Sequence, residues 1–216
     1  MRIESPNRIR NNRALYLHLK KQFVDRFHRL GDFLALVSSS HYTSKISFGA
    51  TIVGRNIHLG KDCLVEEGSF LGLHNPEAYE EFIKIGDNCE IRKGAQIRSW
   101  MGWISIGNEC SINPNTVLLG TGGINIGNQV RIAGNSLLVA SSHVINNPEL
   151  PITKQGYTAN GITIEDDCWI GAGVTVLDGV TIQRGCVIGA GAVVNKSTDM
   201  NSIYAGVPAR KLSERN

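Results

Sequence analysis

His143 stands where chemistry is most easily done in this chain: it ends a run of aliphatic-headed repeats and opens a long polar loop, directly after Ser141 and Ser142. An imidazole takes up a proton near neutral pH, which is what activating an alcohol for acyl transfer requires. His18, His28, His41 and His58 have no comparable placement. The five cysteines, Cys63, Cys89, Cys110, Cys168 and Cys186, include no CxxC pair and are odd in number, so neither a zinc site nor a disulfide framework is expected. No metal is expected elsewhere.

The elements that must hold His143 follow from a six-residue rhythm. Aliphatic residues head units at Leu59, Val65 and Leu71, then Ile85, Ile91 and Ile97, then Ile106, Ile112 and Leu118. The series continues with Ile126, Ile132, Leu138; Ile164, Ile170, Val176; and Ile182, Ile188, Val194. A period of six matches neither the helical stripe nor strand alternation. It predicts an all-β solenoid, a parallel β-helix in which three units make one triangular coil. All five cysteines fall at the fifth position of a unit, a slot that takes small side chains. Gly60, Gly86, Gly107, Gly171 and Gly189, with Gly68, Gly94, Gly173 and Gly191, fall at second or fourth positions, where corners with positive φ are expected.

Successive coils begin 26, 21, 20, 38 and 18 residues apart, leaving excesses of 8, 3, 2, 20 and 0 over an eighteen-residue coil. Each excess follows the third unit, so all insertions leave from one edge, where binding residues gather on a rigid scaffold. The twenty-residue insertion, about 144–163, begins at His143. His74, Trp100 and Trp103 lie in insertions on the same edge.

The predicted organisation is an N-terminal helical segment at 1–45, a β-helix at 46–212 and a tail at 213–216. Tyr16, Leu19, Phe23, Phe27, Leu30, Leu34 and Val37 make a helical stripe within 12–37. Residues 1–45 hold nine basic and three acidic side chains against thirteen and sixteen in the remainder, a charge of +6 on a body of −3. This basic segment allows peripheral contact with an anionic membrane. Nothing suggests nucleic acid as a partner. With no apolar span and no signal pattern, the expected location is cytoplasmic, with or without that membrane contact.

Residues 104–212 resemble the left-handed β-helix acyltransferases, most closely the bacterial O-acetyltransferases that modify sugars. The run Ile126-Gly-Asn-Gln-Val-Arg-Ile-Ala-Gly-Asn-Ser-Leu-Leu-Val-Ala-Ser-Ser-His143 is similar, without a gap, to the stretch ending in the catalytic histidine of galactoside and maltose acetyltransferases. Cys168-Trp-Ile-Gly-Ala-Gly-Val174, Val187-Ile-Gly-Ala-Gly-Ala-Val-Val-Asn-Lys196 and Tyr204-Ala-Gly-Val-Pro-Ala-Arg210 complete the likeness.

The resemblance, and not the repeat arithmetic, implies a left-handed coil. It also implies a homotrimer, acetyl-CoA as acyl donor, a sugar or lipid-linked saccharide acceptor, and a role in surface polysaccharide synthesis. His143 would be the general base. Asn113 matches an acceptor-binding asparagine; Thr121 stands where relatives place an aspartate, which implies a different acceptor. Ser142, and Gln155 of the long loop, are further acceptor candidates. Trp169 would lie against the pantetheine arm, and Gly171, Ala172, Ala190, Asn195, Lys196 and Arg210 match coenzyme-binding positions. Ala172 often carries a hydroxyl in galactoside-type relatives, so only its amide remains here. The alternatives are N-acetylation of an amino sugar, a longer acyl donor, or a catalytically silent scaffold. A metal-dependent lyase of the carbonic anhydrase kind would need three converging histidines, and His58 and His74 lack partner spacing.

Overall fold

The computed structural model describes residues 31, 43–75 and 80–215. The expected N-terminal helix falls outside them, Gly31 apart.

The described chain is a left-handed parallel β-helix with three sheets as its faces. Strands such as Trp103–Ile106 and Ile124–Ile126 build the first face. Ser111–Ile112 and Arg131–Ile132 belong to the second, and Val117–Leu119 and Leu137–Val139 to the third. Unit heads stack in register: Ile85 on Ile106, Ile106 on Ile126, Ile126 on Ile164 and Ile164 on Ile182. Their side chains point inward and are buried. Burying an aliphatic side chain contributes about 1.5–3 kcal/mol, so these columns are the main source of cohesion. An earlier coil is also present, since Lys45–Ile46 pairs with Leu64–Val65 and Thr51–Val53 with Phe70–Gly72. At the far end Ser202–Ala205 folds back on Arg210–Glu214, an antiparallel pair that closes the second sheet. The last strand therefore runs two residues into the expected tail.

The corner between first and second faces is a ladder of side-chain amides and carboxylates. The Lys61 N–H donates to Asp87 Oδ1 at 2.8 Å, Asp87 N–H to Asn108 Oδ1 at 2.8 Å, Asn108 N–H to Asn128 Oδ1 at 2.9 Å and Asn128 N–H to Asp166 Oδ1 at 2.6 Å. A Cβ on Gly107 would lie 2.6 Å from the Gly127 carbonyl oxygen. Glycine is required there by the closeness of the next coil. Positive φ, expected at all these glycines, is found at Gly68, Gly94, Gly173 and Gly191 and not at Gly60, Gly86, Gly107, Gly171 or Gly189.

The five cysteines are free and buried at this same corner. They do more than fill space. Cys63, Cys89 and Cys110 donate to the carbonyls of Gly86, Gly107 and Gly127 in the next coil at 3.1, 3.0 and 3.1 Å. The Cys110 sulfur and burial push the Cys89 thiol up to about 11, and burial pushes Cys168 up to about 12.

Candidate functional site

The insertions all leave the corner between third and first faces, as their arithmetic requires. Three of them meet. A cleft of about 270 Å³ is lined by Trp100 and Met101 from one insertion, Thr121 from the next, and Ser142, His143 and Tyr157 from the longest. Gly102 allows the first two to touch: a Cβ there would lie 2.1 Å from the Gly120 carbonyl oxygen.

His143 is exposed, and no hydrogen bond among the described residues uses its ring. Its backbone is fixed because Ser142–His143 pairs antiparallel with Tyr157–Thr158, His143 facing Tyr157. The long insertion is therefore a hairpin arm with a single 3₁₀ turn, Ile152–Lys154, inside it. Asp178 anchors the returning limb. Its carboxylate accepts the Thr158 hydroxyl at 3.0 Å, the Asn160 N–H at 2.8 Å and the Gly161 N–H at 2.9 Å. Bonds of this charge-assisted kind are about twice as strong as neutral ones.

Of the expected acceptor residues, Thr121 and Ser142 line the cleft. Gln155 does not; its side chain is engaged within the arm. It accepts the Asn147 N–H at 3.0 Å and donates to the Asn147 and Leu150 carbonyls at 2.8 Å each. Asn113 lies at another corner, after the second-face strand Ser111–Ile112, and its amide donates to the Ile132 carbonyl at 2.9 Å.

The expected coenzyme residues divide as well. Trp169 stands half-exposed on the second face. Gly171, Ala172 and Ala190 follow at the same corner as Asn113, where a Cβ on Gly171 would come within 2.6 Å of the Ala190 nitrogen. The Ala172 N–H, at an exposed turn, has no partner among the described residues. Asn195 and Lys196 are exposed on the His143 edge, two coils further on, after Val193–Val194. Arg210, also exposed, begins the closing strand and donates to the Ala209 carbonyl at 2.9 Å. The candidates thus occupy two different edges of one prism. Among the described residues no group of three or more His, Cys, Asp or Glu is gathered as a metal site would require.

Met101, Tyr157 and Asp178 escaped the sequence reading. None of the three carries a motif; for Met101 and Tyr157 the position in an insertion on the His143 edge is a signal in the sequence, and for Asp178 there is none.

Residues 161–196 match the family model for the bacterial transferase hexapeptide (six repeats). Among solved structures, the chain is similar to a variant of AntD, an N-acyltransferase from Bacillus cereus, in complex with dTDP-4-amino-4,6-dideoxyglucose and coenzyme A. Identity is 25%, coverage 82% of this chain and 92% of that one, and the TM-score 0.59. AntD with dTDP and 3-hydroxybutyryl-CoA aligns at 19% identity over 85% of each chain with a TM-score of 0.53. A maltose O-acetyltransferase from Clostridium difficile 630 aligns at 21% identity over 81% of this chain and 71% of that one, with a TM-score of 0.45. The chain is a left-handed β-helix of hexapeptide repeats that resembles the acyltransferases built on this scaffold, and its residues 161–196 carry the bacterial transferase hexapeptide.

Proposed function

We propose that the protein transfers an acetyl group from acetyl-CoA to a sugar hydroxyl, with His143 as general base. The observation that carries this reading is the His143 ring, presented without an internal partner to a cleft walled by three insertions. The imidazole takes the proton of the acceptor hydroxyl as that oxygen bonds to the thioester carbonyl carbon. The C–S bond then breaks, and the departing thiolate takes the proton from the imidazolium. The oxyanion formed between these steps needs a hydrogen-bond donor, and the unpaired Ala172 N–H is the candidate.

Ala172 and His143 lie on different edges, so a complete site needs two copies of the chain side by side. This supports a homotrimer with the coenzyme in the groove between protomers, against Trp169, Gly171 and Ala190 of one copy. Asn195, Lys196 and Arg210 would meet its polar and phosphate groups. Asn113 would face the acceptor across the same junction. A surface saccharide, lipid-linked or free, is the acceptor class, and the cytoplasm with peripheral membrane contact is the proposed location.

A second reading, N-acylation of an amino sugar, is favoured by the AntD likeness at 25% identity. Thiol release from acetyl-CoA, measured with paired hydroxy and amino sugars, decides between them. His143→Ala is expected to lower turnover by about 10²–10⁴-fold. An unchanged rate would remove the general-base assignment.

A further inference from the structure

Ser99–Gly102 closes as a four-residue turn, the Gly102 N–H donating to the Ser99 carbonyl at 3.1 Å. Its central residues, Trp100 and Met101, have φ of 48° and 73°. Positive φ at both centres belongs to the mirror-image turns usually filled by Asn-Gly or Gly-Gly. Among the described residues, no other two consecutive non-glycine residues share it; the rest are single Asp, Asn, Glu or Gln residues. Strain of this kind persists where the surroundings over-determine it.

Glu81 is what determines it. The residue is 4% exposed, and its carboxylate accepts the Ser99 hydroxyl at 2.6 Å and the His74 and Asn75 N–H groups at 2.8 and 3.0 Å. One buried carboxylate thus ties the insertion before Glu81 to the strained turn. The His74 ring lies against Trp100 with centroids 5.5 Å apart. The outcome is that Trp100, 47% exposed, is held on the wall of the His143 cleft.

We propose that Trp100 is the platform on which one pyranose ring of the acceptor lies, and that Glu81 is the positioning residue that sets it. The proposal rests on a saccharide being the acceptor. An indole face is apolar with negative electrostatic character, suited to the C–H face of a pyranose. The cleft, about 270 Å³, falls just below the ~300–1,000 Å³ of sites that enclose a drug-sized ligand, which suits a single ring. Thr121 and Ser142 place hydroxyls beside it.

The test uses the full chain labelled at its three tryptophans, with no acyl donor, and a panel of methyl pyranosides as probe. The Trp100 indole N–H resonance is expected to shift on titration while those of Trp103 and Trp169 stay. By calorimetry, Trp100→Ala should weaken binding about ten-fold. Trp100→Phe should keep most of the affinity, and if the alanine variant fails to fold the Trp100 resonance decides alone. Glu81→Gln should weaken binding in the wild-type background and add nothing to Trp100→Ala. A silent Trp100 resonance, or undiminished binding by Trp100→Ala, overturns the platform. Additive losses overturn the positioning role. Sugar binding at Trp100 in a chain that never releases thiol would sink the transferase reading alone; sugar acetylation with Trp100 silent would sink only this one.

Discussion

His143 and Tyr157 face each other across a two-strand antiparallel ribbon at the root of the longest insertion. The His143 backbone therefore inherits its position from a strand fourteen residues later in sequence, and from whatever holds that strand.

What holds it is Asp178. Asp178→Ala is expected to free Thr158, Asn160 and Gly161, loosening the arm at a local cost of about 1–3 kcal/mol. Turnover should fall while the KM for acetyl-CoA stays, because Trp169, Gly171 and Ala190, the residues proposed to face the coenzyme, are not among those Asp178 holds. Steady-state kinetics on both substrates check this, and a matched rise in both KM values would contradict it.

Met101→Gly should stabilise the fold, since glycine removes the left-handed penalty of about 1–2 kcal/mol for a residue with a Cβ. The same change loosens the wall of the cleft and should weaken saccharide binding. Thermal unfolding and acceptor KM, measured together, report the trade.

Gly107→Ala should destabilise the solenoid by about 1–3 kcal/mol, because the new methyl meets the Gly127 carbonyl of the next coil. Gly173 has positive φ, and a Cβ there would meet nothing within 4 Å, so alanine strains only its own backbone and should cost less. Denaturant midpoints of the two variants rank them.

Cys89 and Cys168 ionise in the fold only at about 11 and about 12, against an ordinary value of 9.0. A raised folded value means that the folded chain keeps protons which the unfolded chain loses. Their contribution is complete below pH 9 and declines as pH rises through 11 and 12. Stability measured across that window should fall, less steeply in Cys89→Ser, and all five thiols should resist an aromatic disulfide until denaturant is added.

The repeat was legible because every unit head is an aliphatic facing one core, so a single periodicity encodes three faces. The insertion edge was legible too, since residues in excess of a closed coil have only the corner they follow from which to leave. The Trp100–Met101 turn was not: neither residue is a turn former, and the carboxylate that enforces it lies nineteen residues earlier. Gln155 is hard to read for a related reason. A side-chain amide reads alike in sequence whether it points to a ligand or, as here, closes its own loop on Asn147 and Leu150. Glycine at the second unit position was read as a torsional need, when proximity of the neighbouring backbone sets it.

The separation of His143 from Ala172 has a genetic corollary. In a side-by-side assembly, a chain inactivated at the histidine and one inactivated at the alanine's turn carry lesions that need not meet in the same junction. Co-expressed, two individually dead alleles should form mixed particles in which some junctions draw both wild-type halves, restoring part of the lost activity.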